Sequence, residues 1–140
     1  MKIMILRVLL ASTLFVACSR VENVMTIEKA LAAATKSSSQ PVIVEGYYIH
    51  HPEGDGLYNN PGEQTGFEVV LRFDRMFRGQ TGDELYRRRV ELAKQYDQKY
   101  VLASGNLKRG PLQGAIGMVQ DCIYLEVDSI RKADAKNGRK

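Results

Sequence analysis

Both histidines of the chain fall in one stretch, "YIHHPEGDGLYNN", residues 48–60. His50, His51, Glu53 and Asp55 are residue types that ligate metal ions. Adjacent residues on an extended chain point to opposite faces, so the two imidazoles cannot easily reach one ion. No "HExxH", "CxxC" or further histidine stands elsewhere, and "PEGDG" has the composition of a turn. The stretch reads as a loop between two strands, with no metal and no cofactor.

Nucleophilic chemistry fares no better. "ASGN" around Ser104 is not the "GxSxG" elbow, and "GDG" at 54–56 is too short for a phosphate loop. The carboxylates are scattered along the chain, so an enzyme is not expected. Arg87, Arg88 and Arg89 form the densest cationic run, with Arg72, Arg75 and Arg78 nearby. Three consecutive helical residues fan across about 200°, too wide for one patch. Asp74, Asp83, Glu84 and Glu91 interleave with them. The run reads as a solvated helix face, the alternative being a contact surface for anionic lipid, lipopolysaccharide or an acidic protein.

The elements that position these residues show in the hydrophobic period. Residues 22–35, "ENVMTIEKALAAAT", are rich in helix formers, with Val24, Ile27 and Leu31 about a turn apart. After "KSSSQP" the period becomes two. "VIVEGYYI" is apolar on both faces, and Gly46 in its middle suggests a bulge or sharp coil. A short "LYNN" follows, then "FEVVLRFD", whose Phe67, Val69, Leu71 and Phe73 share one face. "TGDELYRRRVELAKQY" switches to helix, with Thr81 and Glu84 at capping-box spacing and Leu85, Leu92 and Tyr96 on one stripe. "YVLASGNL" and "CIYLEVDSI" are two further strands. A glycine-rich segment, "KRGPLQGAIGMVQD", reads as a long loop between them. Cys122 is expected to be a small buried hydrophobe.

The start of the chain has the proportions of a secretory signal: Lys2 and Arg7, then a ten-residue, mostly apolar stretch from Val8 to Ala17, too short to span a bilayer. "FVAC" resembles the lipobox of bacterial lipoproteins, with Phe15 where leucine, valine or isoleucine is usual. The resemblance implies cleavage after Ala17, acylation of Cys18, and a new N-terminus there. Ser19 in place of aspartate implies sorting to the outer membrane, with the domain facing the periplasm. The charge follows this division. Residues 131–140 carry five cations and one anion, whereas residues 18–130 carry 13 cations against 15 anions. The basic pI therefore comes from the ends and does not point to nucleic acid. The expected organisation is a signal peptide (1–17), a tether with a short helix (18–40), one domain (41–130) and a basic tail (131–140).

The order β-β-β-α-β-β, with the helix between the third and fourth strands, resembles an OB-fold barrel of five strands, a mainly β class. In that fold glycines in the first and fourth strands let the sheet coil and close. Gly46 and Gly105 stand at those places. "VIVEGYYI", "LYNN", "FEVVLRFD", "KYVLASGNLKRG" and "IYLEVDSI" resemble a family of small, uncharacterised bacterial OB-like lipoproteins over residues 41–130. Where those relatives carry "GHxG", this chain has "GPLQGAIG". OB barrels commonly bind on the face of strands two and three, so the resemblance implies a candidate ligand face of Tyr47, His50, Tyr58, Asn60, Arg72 and Lys108. The alternative is that these tyrosines are only barrel staves. The functional expectation is a non-catalytic, lipid-anchored envelope module that binds a protein or glycan partner. A structural or accessory lipoprotein without a ligand site is the alternative, and an envelope-polymer hydrolase ranks behind both.

Overall fold

Period-two patterning does build a sheet. The computed structural model describes residues 23–34, 39–62, 69–114 and 117–134. The expected signal peptide, Cys18, Phe67 and residues 135–140 of the tail lie outside the described residues. The order is β1 (Val24–Met25), α1 (Ile27–Ala33), β2 (Gln40–His51), β3 (Gly54–Tyr58), β4 (Val69–Arg72), α2 (Gly82–Tyr96), β5 (Tyr100–Gly114) and β6 (Gly117–Lys132). The chain is mainly β.

The six strands form one sheet that partly closes into a ring. β2 pairs with β3, β3 with β4, β4 with β6, β6 with β5, and β5 returns to β2. All these pairings are antiparallel except β4 with β6. Within the ring β2 serves two neighbours in turn: residues 40–47 pair with β5, and residues 47–51 with β3, while β1 pairs in parallel with Ile43 and Val44. Gly46 sits beside that exchange. A Cβ there would lie 2.8 Å from Ile27 Cδ1 and 3.2 Å from the Tyr58 carbonyl oxygen. The glycine thus makes room for α1 as well as for the change of partner.

The core fills the inside of the ring. Val44 and Tyr48 of β2, Leu57 of β3, Val69 of β4, Val101 and Leu107 of β5, and Leu125 and Val127 of β6 are fully buried or nearly so. Helix α1 has only seven residues, too short to persist alone in water. Burial of Ile27 and Ala30 against the sheet holds it, with Thr26 capping its start through the Lys29 N–H. On α2, Leu85, Leu92, Ala93 and Tyr96 pack on the core as the stripe predicts.

Four expectations need correction. The first segment, expected as helix from residue 22, gives Val24 and Met25 to a sixth strand, parallel to β2, and α1 starts only at Ile27. A two-residue strand is too short to display a period. Residues 48–60 are largely hairpin and not loop: His51 ends β2, Gly54 starts β3, and the turn takes only Pro52 and Glu53. The glycine-rich segment is likewise not the expected loop: residues 108–114 extend β5 and residues 117–121 extend β6, with a register irregularity between Gly110 and Leu112. Among the described strands, residues 108–114 pair with β6 alone. An edge position tolerates Pro111, whose missing N–H would be costly in a central strand. Finally, Thr81 is the N-cap of α2, but its hydroxyl makes no capping bond. Its carbonyl accepts from the Glu84 N–H at 3.3 Å instead.

Candidate functional site

The hairpin of β2 and β3 sets His50 directly opposite Asp55. Opposed residues of an antiparallel pair share a face, and here it is the inner face, where Tyr48 and Leu57 also point. Asp55 is the sole buried charged residue among those described, and its side chain is wholly inaccessible. A carboxylate so placed is costly unless its charge is answered.

Two side chains answer it. His50 Nδ1 lies 2.6 Å from Asp55 Oδ1. Arg89, from the middle of α2, donates through Nε to Asp55 Oδ2 at 2.8 Å and through Nη2 to Oδ1 at 3.3 Å. Nη2 also donates to the His51 carbonyl at 2.9 Å. Burial alone would lower the Arg89 pKa, but its hydrogen bonds with Asp55 and the charge of that carboxylate outweigh this and raise it. The Tyr48 phenol lies in the same field. Burial first, then the charge of Asp55, push it well above the ordinary tyrosine range. Its hydroxyl makes no hydrogen bond of good geometry among the described residues.

The far end of α2 is fixed to the same strand. Asp97, the C-cap, accepts from the His50 backbone N–H at 2.9 Å. Gln98, at a φ of 62°, turns the chain so that its N–H donates to the Tyr48 carbonyl, and Tyr48 N–H donates to Lys99. A histidine whose Nδ1 meets a buried carboxylate is the orienting half of an acid–base triad. The four clustered side chains, Tyr48, His50, Asp55 and Arg89, include no serine, threonine or cysteine nucleophile. What the geometry does directly is tie hairpin to helix.

Reading Arg87, Arg88 and Arg89 together as a solvated face is therefore wrong for the third. Arg87 and Arg88 are exposed, but the Arg89 side chain is 16% exposed and reaches inward. The signal was present: Arg89 lies four residues after Leu85 and three before Leu92, within the apolar stripe.

The six candidate ligand residues divide among separate places. Tyr47 and Tyr58 are directly opposed on the outer face, and Tyr47 meets Tyr100 edge-on with ring centres 5.0 Å apart. Tyr58 is buried and packs near His51. His50 points the other way, into the cluster. Asn60 is exposed in the turn after β3. Arg72 and Lys108 come together around Glu126. Arg72 is its register partner on β4, and Lys108 Nζ lies 2.9 Å from Glu126 Oε1. Arg72 also pairs with Asp74 at 2.8 Å, and Tyr124 occupies the rung beside Lys108. Arg72, Lys108, Glu126 and Tyr124 thus form a polar and aromatic row on the outer face of β4, β6 and β5, each partly accessible.

Cys122 is buried as expected, and burial raises its thiol pKa, with Asp121 adding to the effect. No family model, curated protein or solved structure matches the chain.

Proposed function

We propose that the chain is a non-catalytic module on an OB-like barrel, held at the bacterial outer membrane by acyl groups on Cys18, that binds a protein or glycan partner. The ring order β2-β3-β4-β6-β5, with its single parallel pairing between β4 and β6 and α2 between β4 and β5, supports the barrel. The sequence of residues 1–18 supports the anchor. The observation that carries binding is the outer row of Arg72, Glu126, Lys108 and Tyr124. It joins hydrogen-bonding ions to an aromatic surface, the combination that sugars and polar peptides engage. The opposing signs of this row, and of the exposed residues around it, suit a polar partner better than a uniformly anionic one.

A photo-crosslinking residue in place of Tyr124 tests this in living cells. The expected result is a discrete adduct, protein or glycan, whose yield falls about tenfold or more when Arg72 and Lys108 are alanine, as for loss of charged hydrogen bonds. Alanine at Arg87 and Arg88 leaves it unchanged. Failure to form any adduct favours the accessory lipoprotein without a ligand site.

The anchor has its own test. Cys18→Ala removes the thiol that accepts the acyl group, and among the described residues no helix is long and apolar enough to cross a membrane. Fatty-acid incorporation is expected to vanish and the protein to leave the membrane fraction. Equal labelling of mutant and wild type ends the lipoprotein reading.

A further inference from the structure

Strand β5 sends every second side chain away from the core. Val101, Ala103, Gly105 and Leu107 are buried, so Tyr100, Leu102, Ser104, Asn106 and Lys108 point outward. Each of those five is at least partly accessible, and Tyr100 is 38% exposed. On β6 the register sets Arg131 beside Leu102, Ser129 beside Ser104, Glu126 beside Asn106 and Tyr124 beside Lys108. The extra residue at the register shift, Asp128, turns to Arg75 at 3.0 Å. The outer row of Lys108, Glu126 and Tyr124 is therefore one end of a strip two strands wide. From Lys108 to Tyr100 the strip runs about 27 Å.

Both ends of the strip are aromatic. Tyr124 stands at one, and at the other Tyr100 meets Tyr47 edge-on. Between them lie uncharged hydrogen-bonding groups. Ser104 Oγ and Ser129 Oγ are 2.6 Å apart, and two hydroxyls that share one bond keep a proton and lone pairs for a ligand. Asn106 adds an amide. The ions cancel: Lys108 Nζ lies 2.9 Å from Glu126 Oε1, while Glu45 and Arg131 flank Leu102 on one rung with opposite signs. Residues 101–107 of β5 are paired to β2 on one side and β6 on the other. An extended peptide therefore finds no main-chain partners here, as it would at a sheet edge. Side chains alone must recognise the occupant.

We infer that the outer face of β5 and β6 binds one linear, uncharged glycan chain lengthwise, with sugar rings stacked on Tyr100 and Tyr124. The inference rests on binding at the outer row and deepens it by naming the ligand and its extent. A pyranose ring offers an apolar face to an aromatic ring and hydroxyls around its edge. An extended chain of such rings repeats that pattern over the length of the strip. The serine hydroxyls and the Asn106 amide meet the hydroxyls of the middle sugars. A strip whose cations and anions balance complements a ligand without net charge, and gives a polyanion nothing to neutralise it.

The test is calorimetric titration of the full-length protein in detergent with cellohexaose and chitohexaose, and with the matching disaccharides. At least one hexasaccharide is expected to bind, about tenfold or more tighter than its disaccharide, because it reaches both aromatic ends. Tyr100→Ala is expected to weaken the hexasaccharide about fivefold, as for loss of one stacked ring. Tyr100→Phe keeps the ring and the affinity. High salt is expected to leave binding within about twofold, since no charge is neutralised. Binding that falls steeply with salt overturns the uncharged ligand. A hexasaccharide that binds no better than its disaccharide, or that ignores Tyr100→Ala, overturns the strip and leaves a short ligand at the outer row. If neither hexasaccharide binds while a residue at Tyr124 crosslinks a protein in cells, the glycan is overturned and the binding module stands. Absence of both glycan binding and any adduct overturns the two readings together.

Discussion

Alanine at Gly105 is expected to cost about 3 kcal/mol or more, a loss reached only by severe overpacking. A Cβ at this position would stand 2.0 Å from the Glu126 carbonyl oxygen, 2.8 Å from its carbon and 3.0 Å from the Val127 Cα. All three are backbone atoms of β6, so no rotamer change relieves the contact. They lie where the β5–β6 register shifts between Ser104 and Gly105, and separation there would part the two longest strands. Gly46→Ala is a graded comparison. Its nearest obstacle, at 2.8 Å, is the terminal carbon of Ile27, which can move, so a smaller loss is expected. Gly54→Ala meets nothing within 4 Å and should be close to neutral. Thermal melts of the three variants check the order. Equal losses at Gly105 and Gly54 would show that close strand approach does not hold this sheet together.

That order also shows what the sequence could reveal. A glycine within a period-two run has few explanations, and both Gly46 and Gly105 lie where strands coil or meet closely. The alternation of Val69, Leu71 and Phe73, and the stripe of Leu85, Leu92 and Tyr96, were legible because one face is buried and the other wet. The extension of β5 and β6 was not. Beyond Leu107 the ribbon leaves the closed part of the sheet, so no two-faced burial imposes a period, and its glycines and Pro111 look like loop punctuation. The inner ionic cluster was harder still. Asp55 and Arg89 are 34 residues apart, and each has a plausible local reading, one as a turn residue and the other as part of a cationic run. Their positions within apolar patterns, Asp55 two residues before Leu57 and Arg89 between Leu85 and Leu92, were the usable signs. A charge at a core position asks for an opposite charge at another.

Removing one partner of that pair is the second large effect. Asp55→Leu leaves the Arg89 guanidinium mostly buried and without its carboxylate, and the expected loss is about 3–5 kcal/mol. Arg89→Met leaves Asp55, whose side chain is wholly inaccessible, with only His50 beside it, and a loss of similar size follows. His50→Ala keeps the Arg89 contacts and removes one hydrogen bond, so about 1–3 kcal/mol is expected. His51 faces outward, and its replacement by alanine should cost under about 1 kcal/mol. The double variant Asp55→Leu with Arg89→Met separates attraction from burial. Inside a core formed by Leu57, Leu71 and Leu92, two apolar side chains of comparable bulk need no compensation, and the pair is expected to recover most of the stability lost by either single change. Urea melts of the four proteins in the cycle provide the numbers. A double variant that loses the sum of the two single losses would mean that Asp55 and Arg89 act independently, and that α2 is held to the hairpin by Asp97, Gln98 and the Tyr96 ring instead.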